Sequence, residues 1–156
     1  MAAGAPFDKR DGWIWFDGKL VPWADANLHV LSHGLHYASC VFEGERAYGG
    51  TIFKSTLHSE RLKRSGEMLD FTIPYSIQEI DAAKHLVLEK NGLKDAYLRP
   101  VAWRGSEMMG VSAQPTNSRL SPGFCFGARH PICSPNESAL HSTAQRPDAF
   151  GTDPFA

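Results

Sequence analysis

The chain has 156 residues, and its 16 Lys and Arg against 17 Asp and Glu leave a formal net charge of −1. That length suits one domain of about 100–200 residues, and a charge so close to zero points to no polyanionic partner. No basic stripe interleaved with aromatics suggests nucleic acid, and no apolar run approaches the ~18 residues of a membrane span.

Residues 1–12, MAAGAPFDKRDG, are small and polar and read as a flexible N-terminus without the apolar stretch of a secretory signal. Trp13–Phe16 and Leu20–Trp23 flank Asp17-Gly18, a two-residue hairpin signal because both turn residues tolerate positive φ. Asp25–Asn27 reads as a loop. A helix over 33–40, capped by the Ser32 hydroxyl, feeds a strand over 41–48, and Gly49-Gly50 closes a second hairpin against Thr51–Lys54. The spacing predicts a helix from Ser55 or Thr56 to about Leu69, with Leu62, Ser65 and Leu69 on one face. Ser76-Ile-Gln-Glu79 is a capping box opening a third helix. Its buried stripe would be Ile77, Ile80, Ala83 and Val87, and Asn91-Gly92 would end it. Ala96–Trp103 is another strand, in which Pro100 calls for an edge or a bulge because it has no N–H to donate. Strand pairs and helices in this order imply an α+β fold with an antiparallel sheet. Lys54, Lys63, Lys84, Lys90 and Lys94 all read as exposed.

Character changes at Pro115. Residues 115–156 hold six prolines, no lysine, and only Leu120, Ile132 and Leu140 among Leu, Ile, Val and Met. No period of 2 or 3.6 survives, so the segment is expected to be a low-order tail of too little apolar surface to offset ordering entropy. The break at Gln114 suggests out-of-frame or otherwise unrelated sequence. Three cysteines without regular spacing argue against a disulfide framework and fit a cytoplasmic protein.

The richest stretch is His29–Tyr48, HVLSHGLHYASCVFEGERAY. Small residues at its helix–strand junction (Gly34, Ala38, Ser39, Cys40) allow close backbone approach. Phe42 and Gly44 stand among Glu43, Glu45 and Arg46, which suits a pocket wall with Phe42 as an apolar plate and Gly44 leaving space beside it. His33, His36 and Cys40 share a helix face at zinc-like spacing, but a fourth ligand is not evident, and no metal is expected. Arg61 offers a fork of donors suited to phosphate oxygens, or is a solvated helix arginine like its neighbours. Arg99 shares a strand face with Tyr97, Val101 and Trp103 and wants an anion, either a structural carboxylate or a ligand.

The run WIWFDGKLVPWADANLHVLSHGLHYASCVFEGERAY, followed by HSERLKRS (58–65), AYLRP (96–100) and RGSEMMGV (104–111), closely resembles the N-terminal part of bacterial branched-chain-amino-acid aminotransferases, fold-type IV pyridoxal-phosphate enzymes. The resemblance covers residues 12–114, so 13–114 is expected to be the N-terminal domain of that fold. It implies transamination of leucine, isoleucine or valine with 2-oxoglutarate, giving the 2-oxo acids and glutamate, in a homo-oligomer. By resemblance Arg61 holds the phosphate of pyridoxal 5′-phosphate. Phe42 and Gly44 line the side-chain pocket, and Arg99 recognises the side-chain carboxylate of glutamate. Tyr37 and the Gly110-Val111 loop complete a neighbouring subunit's pocket. The family's Schiff-base lysine lies beyond the position of Gln114, and no lysine follows Lys94 here. The chain is therefore expected not to transaminate by itself; the alternative role is a non-catalytic fragment able at most to associate with other subunits.

Overall fold

A computed structural model describes residues 6–107, 111, 118–122 and 126–127. Strands β1 (Trp13–Phe16) and β2 (Lys19–Pro22) form the expected hairpin, paired Trp13 to Pro22 and Phe16 to Lys19. Asp17 takes the positive φ that this tight turn demands. Helix α1 (His33–Tyr37) leads into β3 (Cys40–Phe42), then β4 (Glu45–Tyr48) and β5 (Thr51–Ile52). Two 14-residue helices follow, α2 (Ser55–Met68) and α3 (Ile77–Lys90), then β6 (Ala96–Leu98) and β7 (Pro100–Arg104). Strands β8 (Ser118–Pro122) and β9 (Phe126–Gly127) add to β7 and β6, within a segment whose sequence carries no strand period. The sheets run β3-β7-β8 and β5-β4-β6-β9, all pairs antiparallel, so the fold is α+β. No helix among the described residues is long and apolar enough to cross a membrane.

The two expected long strands are each interrupted once, at the same level. Phe42 faces Val101 on one side of the gap and Glu45 faces Leu98 on the other, so no residue is inserted. Pro100 therefore sits neither at an edge nor in a bulge: β7 lies between β3 and β8, and the missing N–H of Pro100 falls at the break in the ladder. Its carbonyl still accepts the Glu43 N–H at 3.0 Å. This break is where the chain turns from one sheet into the other.

Beyond the gap, strand alternation sorts the two faces. Ala47, Ala96 and Leu98 are buried beneath α2 and α3 with Leu62, Ile80 and Val87. Arg46, Tyr97 and Arg99 remain half-buried and Tyr48 exposed on the other face.

Several local expectations need correction. Helix α1 stops at Tyr37 because Ala38 enters the left-handed region at φ 54. Ser32 occupies the N-cap position without a hydroxyl cap; the first free N–H, of His33, goes instead to the carbonyl of Gly105 at 2.8 Å. The buried stripe of α2 is Ser59, Leu62 and Gly66, and Leu69 lies outside the helix and exposed. Gly66 belongs to the stripe because a Cβ there would stand 3.2 Å from the Phe71 ring. The capping box of α3 is present, with Ser76 Oγ accepting from Glu79 N and Glu79 accepting from Ser76 N. Asn91 does more than end α3: its side chain accepts from Trp13 N at 2.9 Å and donates to Trp13 O at 3.0 Å, tying β1 to the helix.

Lys84 is not exposed. It is fully buried, and its ammonium donates to both Glu45 oxygens (3.2 and 3.0 Å), to Ser59 Oγ (2.8 Å) and to Ser55 O (3.0 Å), with Asp81 Oδ1 at 3.0 Å. Burial pushes the Glu45 carboxyl up, and the facing Lys84 partly offsets this. Burial also pushes Asp81 up, but hydrogen bonds from Ser59, Lys84 and Thr56 and the ammonium charge hold it at about 2. A carboxyl depressed in the folded chain contributes stability that is present above its unfolded value and lost as pH falls through the folded one. Between about pH 4 and 2 the wild type should lose on the order of 2 kcal/mol from this group. Asp81→Asn should flatten that part of the acid-unfolding curve, and an unchanged curve would rule this out.

Candidate active site

The gap between β3 and β4 gathers the charged and aromatic side chains. Phe42 ends β3 with 55% of its surface exposed, and the Arg99 guanidinium carbon lies 4.0 Å from its ring centroid. A cation over an aromatic face is attracted by the ring quadrupole, which orients the guanidinium. Arg99 Nε is buried and has no hydrogen-bond partner among the described residues, so a donor remains for an acceptor that those residues do not supply.

Gly44 was expected to leave open space beside Phe42, but Tyr97 fills it. A Cβ on Gly44 would stand 2.7 Å from the Tyr97 hydroxyl and 3.4 Å from its ring. Tyr97 also faces Arg46 across the β4–β6 pairing. Arg46 and Tyr97 thus belong to the site, although the sequence reading assigned neither a role. The signal was there: counting two residues on from Gly44 and two back from Arg99 reaches both on the same face.

Arg61 projects from α2 to the residue between Phe42 and Gly44. Its Nε donates to Glu43 Oε1 at 2.7 Å and its Nη2 to Oε2 at 2.5 Å, and His58 Nδ1 lies 2.9 Å from the same Oε2. Burial pushes Glu43 up, but hydrogen bonds from Arg61 and His58, and their charges, hold its carboxyl below the ordinary range. The Glu43 side chain is 4% exposed and that of Arg61 58% exposed. Glu43 uses one edge of the fork, and the guanidinium keeps N–H donors on the exposed side.

Tyr37 is exposed at the end of α1, its ring tilted against that of His33 with centroids 4.6 Å apart. His33 Nδ1 meets Ser39 Oγ at 2.7 Å and His36 Nε2 meets Val30 O at 2.8 Å, so these two histidines are engaged in local contacts. Among the described residues no group of three His, Cys, Asp or Glu is placed to hold a metal. Val111 is 87% exposed, and Gly110 lies outside the described residues. An apolar cavity of about 260 Å³ opens between the first hairpin, α1 and β7, lined by Ile14, Phe16, Leu35, Cys40, Val101 and Trp103. The structure therefore unites Phe42, Gly44 and Arg99, reaches Arg61 through Glu43, and keeps Tyr37 on α1.

The family model for amino-transferase class IV matches residues 40–149, which takes in this gap with Arg46 and Arg99, and α2 with Arg61. The chain belongs to that family. Among curated relatives, a probable branched-chain-amino-acid aminotransferase of Rickettsia bellii is 50% identical over 116 residues, 74% of this chain and 39% of the relative. The branched-chain-amino-acid aminotransferase of Pseudomonas aeruginosa is 48% identical over 108 residues, 67% of this chain and 35% of that protein. The crystal structure of the Escherichia coli branched-chain amino acid aminotransferase superposes with a TM-score of 0.71 at 36% identity, covering 76% of this chain and 40% of that one. The T.th. branched-chain amino acid aminotransferase complexed with N-(5′-phosphopyridoxyl)-L-glutamate gives 0.69 at 36% identity, over 73% and 40% of the two chains. This class IV aminotransferase chain thus spans about two fifths of the relatives it matches, their N-terminal part, and its family uses pyridoxal phosphate.

Proposed function

We propose that this chain is the N-terminal part of a branched-chain-amino-acid transaminase, which exchanges the amino group of leucine, isoleucine or valine with 2-oxoglutarate. The observation that carries it is Arg99 laid on the exposed ring of Phe42. Such an enzyme must admit an apolar side chain and a carboxylate-bearing one into one pocket. A ring with a cation over it meets both: Phe42 offers apolar contact, and Arg99 offers donors to the longer, acidic partner.

The donor set also fits the cofactor. Pyridoxal 5′-phosphate, when bound, supplies an electron sink for bond breaking at the amino-acid α-carbon. Arg61 would hold its phosphate with the guanidinium edge that Glu43 leaves free. Tyr37 and the 110–111 loop would close the pocket of a neighbouring subunit. In support of self-association, Leu28, Val30, Leu31 and Leu35 are 48, 65, 41 and 61% exposed around α1, more than scattered surface leucines require.

No lysine follows Lys94 in this sequence, and Lys84, the most sequestered of those before it, has its ammonium engaged by five acceptor atoms. The polypeptide is therefore expected not to transaminate by itself, which makes a non-catalytic subunit fragment the second reading. With pyridoxal phosphate, leucine and 2-oxoglutarate present, no glutamate should form, and turnover would overturn this. Size-exclusion chromatography should show a species larger than a monomer; a strict monomer would remove the self-association part. Six prolines and the absence of lysine in 115–156 support a different origin for that segment, against which stand the strand at 118–122 and the family match to 149. Reading the gene's other two frames past codon 114 decides between them.

A further inference from the structure

We propose that Glu43 is a positioning residue for Arg61: the buried carboxylate locks the guanidinium and turns its free edge outward as a phosphate receptor. This rests on the reading of Arg61 as the phosphate ligand. The geometry supplies the argument. Glu43 sits in the strand gap, where its backbone is fixed by the bond from its N–H to Pro100 O. Its side chain is 4% exposed, while the Arg61 side chain is 58% exposed. An exposed arginine on a helix samples many rotamers, and ordering it when a ligand arrives weakens binding. Here the ordering is done beforehand. Nε and one Nη2 hydrogen are committed to Glu43 at 2.7 and 2.5 Å. Both Nη1 hydrogens and the second Nη2 hydrogen remain.

His58 completes the lock from one turn earlier on α2. Its Nδ1 is 2.9 Å from Glu43 Oε2 and 3.3 Å from Arg61 Nη2. With Arg61 a donor only, Nδ1–H donates to Glu43, and the 3.3 Å approach is the proximity of two donors sharing one oxygen. The carboxylate thus receives three N–H bonds and is held from two positions of the same helix, which fixes its plane as well as its distance.

Positioning and plain electrostatics act on phosphate binding with opposite signs. A carboxylate beside an anion receptor lowers the local positive potential, so charge alone predicts that removing it tightens phosphate binding. Positioning predicts the reverse. The full 156-residue chain can be titrated with pyridoxamine 5′-phosphate, which has no aldehyde to condense with surface lysines, and with inorganic phosphate. Phosphorus NMR reports binding, and proton–nitrogen NMR follows the Arg61 Nε–H. Wild type should bind and should show an exchange-protected Arg61 Nε–H even without ligand. Glu43→Gln should weaken binding of both probes about twofold to twelvefold, the penalty of one re-mobilised side chain, and lose the protection.

Equal or tighter binding by Glu43→Gln, with binding lost in Arg61→Ala, overturns the positioning role and leaves the phosphate reading standing. Unchanged binding by Arg61→Ala, or no binding by wild type, overturns the phosphate reading itself. Should Glu43→Gln fail to fold, the wild-type signal still decides: an unprotected Arg61 Nε–H refutes the lock.

Discussion

Lys84→Met is expected to destabilise the chain by about 3–5 kcal/mol, the usual cost of removing one partner from a buried ion pair. The substitution keeps a linear side chain of similar length, so the lost volume is small and the effect is electrostatic. Glu45, fully buried, would lose the ammonium that partly offsets its burial, and Ser59 Oγ and Ser55 O would lose their common donor. The double variant Lys84→Met, Glu45→Leu should recover at least half of the loss, because it removes the orphaned charge with the ammonium. Asp81 tolerates this better than Glu45, since Ser55, Thr56 and Ser59 hydroxyls still donate to it and its side chain is 21% exposed. Urea unfolding of the three proteins measures both terms. A single variant within about 0.5 kcal/mol of wild type, as for an ordinary surface lysine, would refute the account.

That lysine also shows where reading the sequence stops. Along α3 Ile80, Ala83 and Val87 lie on the buried face as expected, Ile77 is only half-buried, and Lys84, four residues from both Ile80 and Leu88, lies within that face. Nothing in the helix says that a lysine there turns inward. The decision is made by Glu45, 39 positions away on β4, and by Ser59 on α2, and such pairings are invisible to local periodicity. The capping box and the hairpin at Asp17-Gly18 were legible because every interaction they need lies within a few residues. The strand gap was half legible: Pro100 announced an irregularity, but only the paired strand, with Glu43 and Gly44 opposite, shows that the ladder opens on both sides at once. Phe42 and Arg99 were each picked out singly, and their contact is a consequence of that shared register. Arg46 and Tyr97 lie on the face that strand alternation gives to Gly44 and Arg99, and the crowding of Tyr97 against Gly44 shows how that side of the site is filled.

Gly34→Ala is expected to cost about 1–3 kcal/mol, as overpacking at a close contact does. A Cβ at this position would stand 3.0 Å from the Cβ of Trp103, 3.1 Å from the carbonyl oxygen of Ser39 and 3.5 Å from that of Arg104. Two of those atoms are backbone and the third is the first atom of a side chain, so none can swing away. Nor can the helix slide freely. It is pinned at one end by His33 N to Gly105 O at 2.8 Å and beyond the other by Arg104 N to Ser39 O at 3.1 Å. The added methyl must therefore lift α1 from β7 and stretch those bonds, carrying Tyr37 with it. Four residues on, the same junction holds the opposite case. Ala38 occupies the left-handed region at φ 54, where an L side chain is strained and glycine is not. Ala38→Gly should gain up to about 1 kcal/mol, less whatever the freer unfolded chain takes back. If the two effects share one cause, the fit of a short helix against a strand, then the double variant should fall between the single ones in denaturant midpoint. A Gly34→Ala protein as stable as wild type would mean that α1 does not pack this closely against β7.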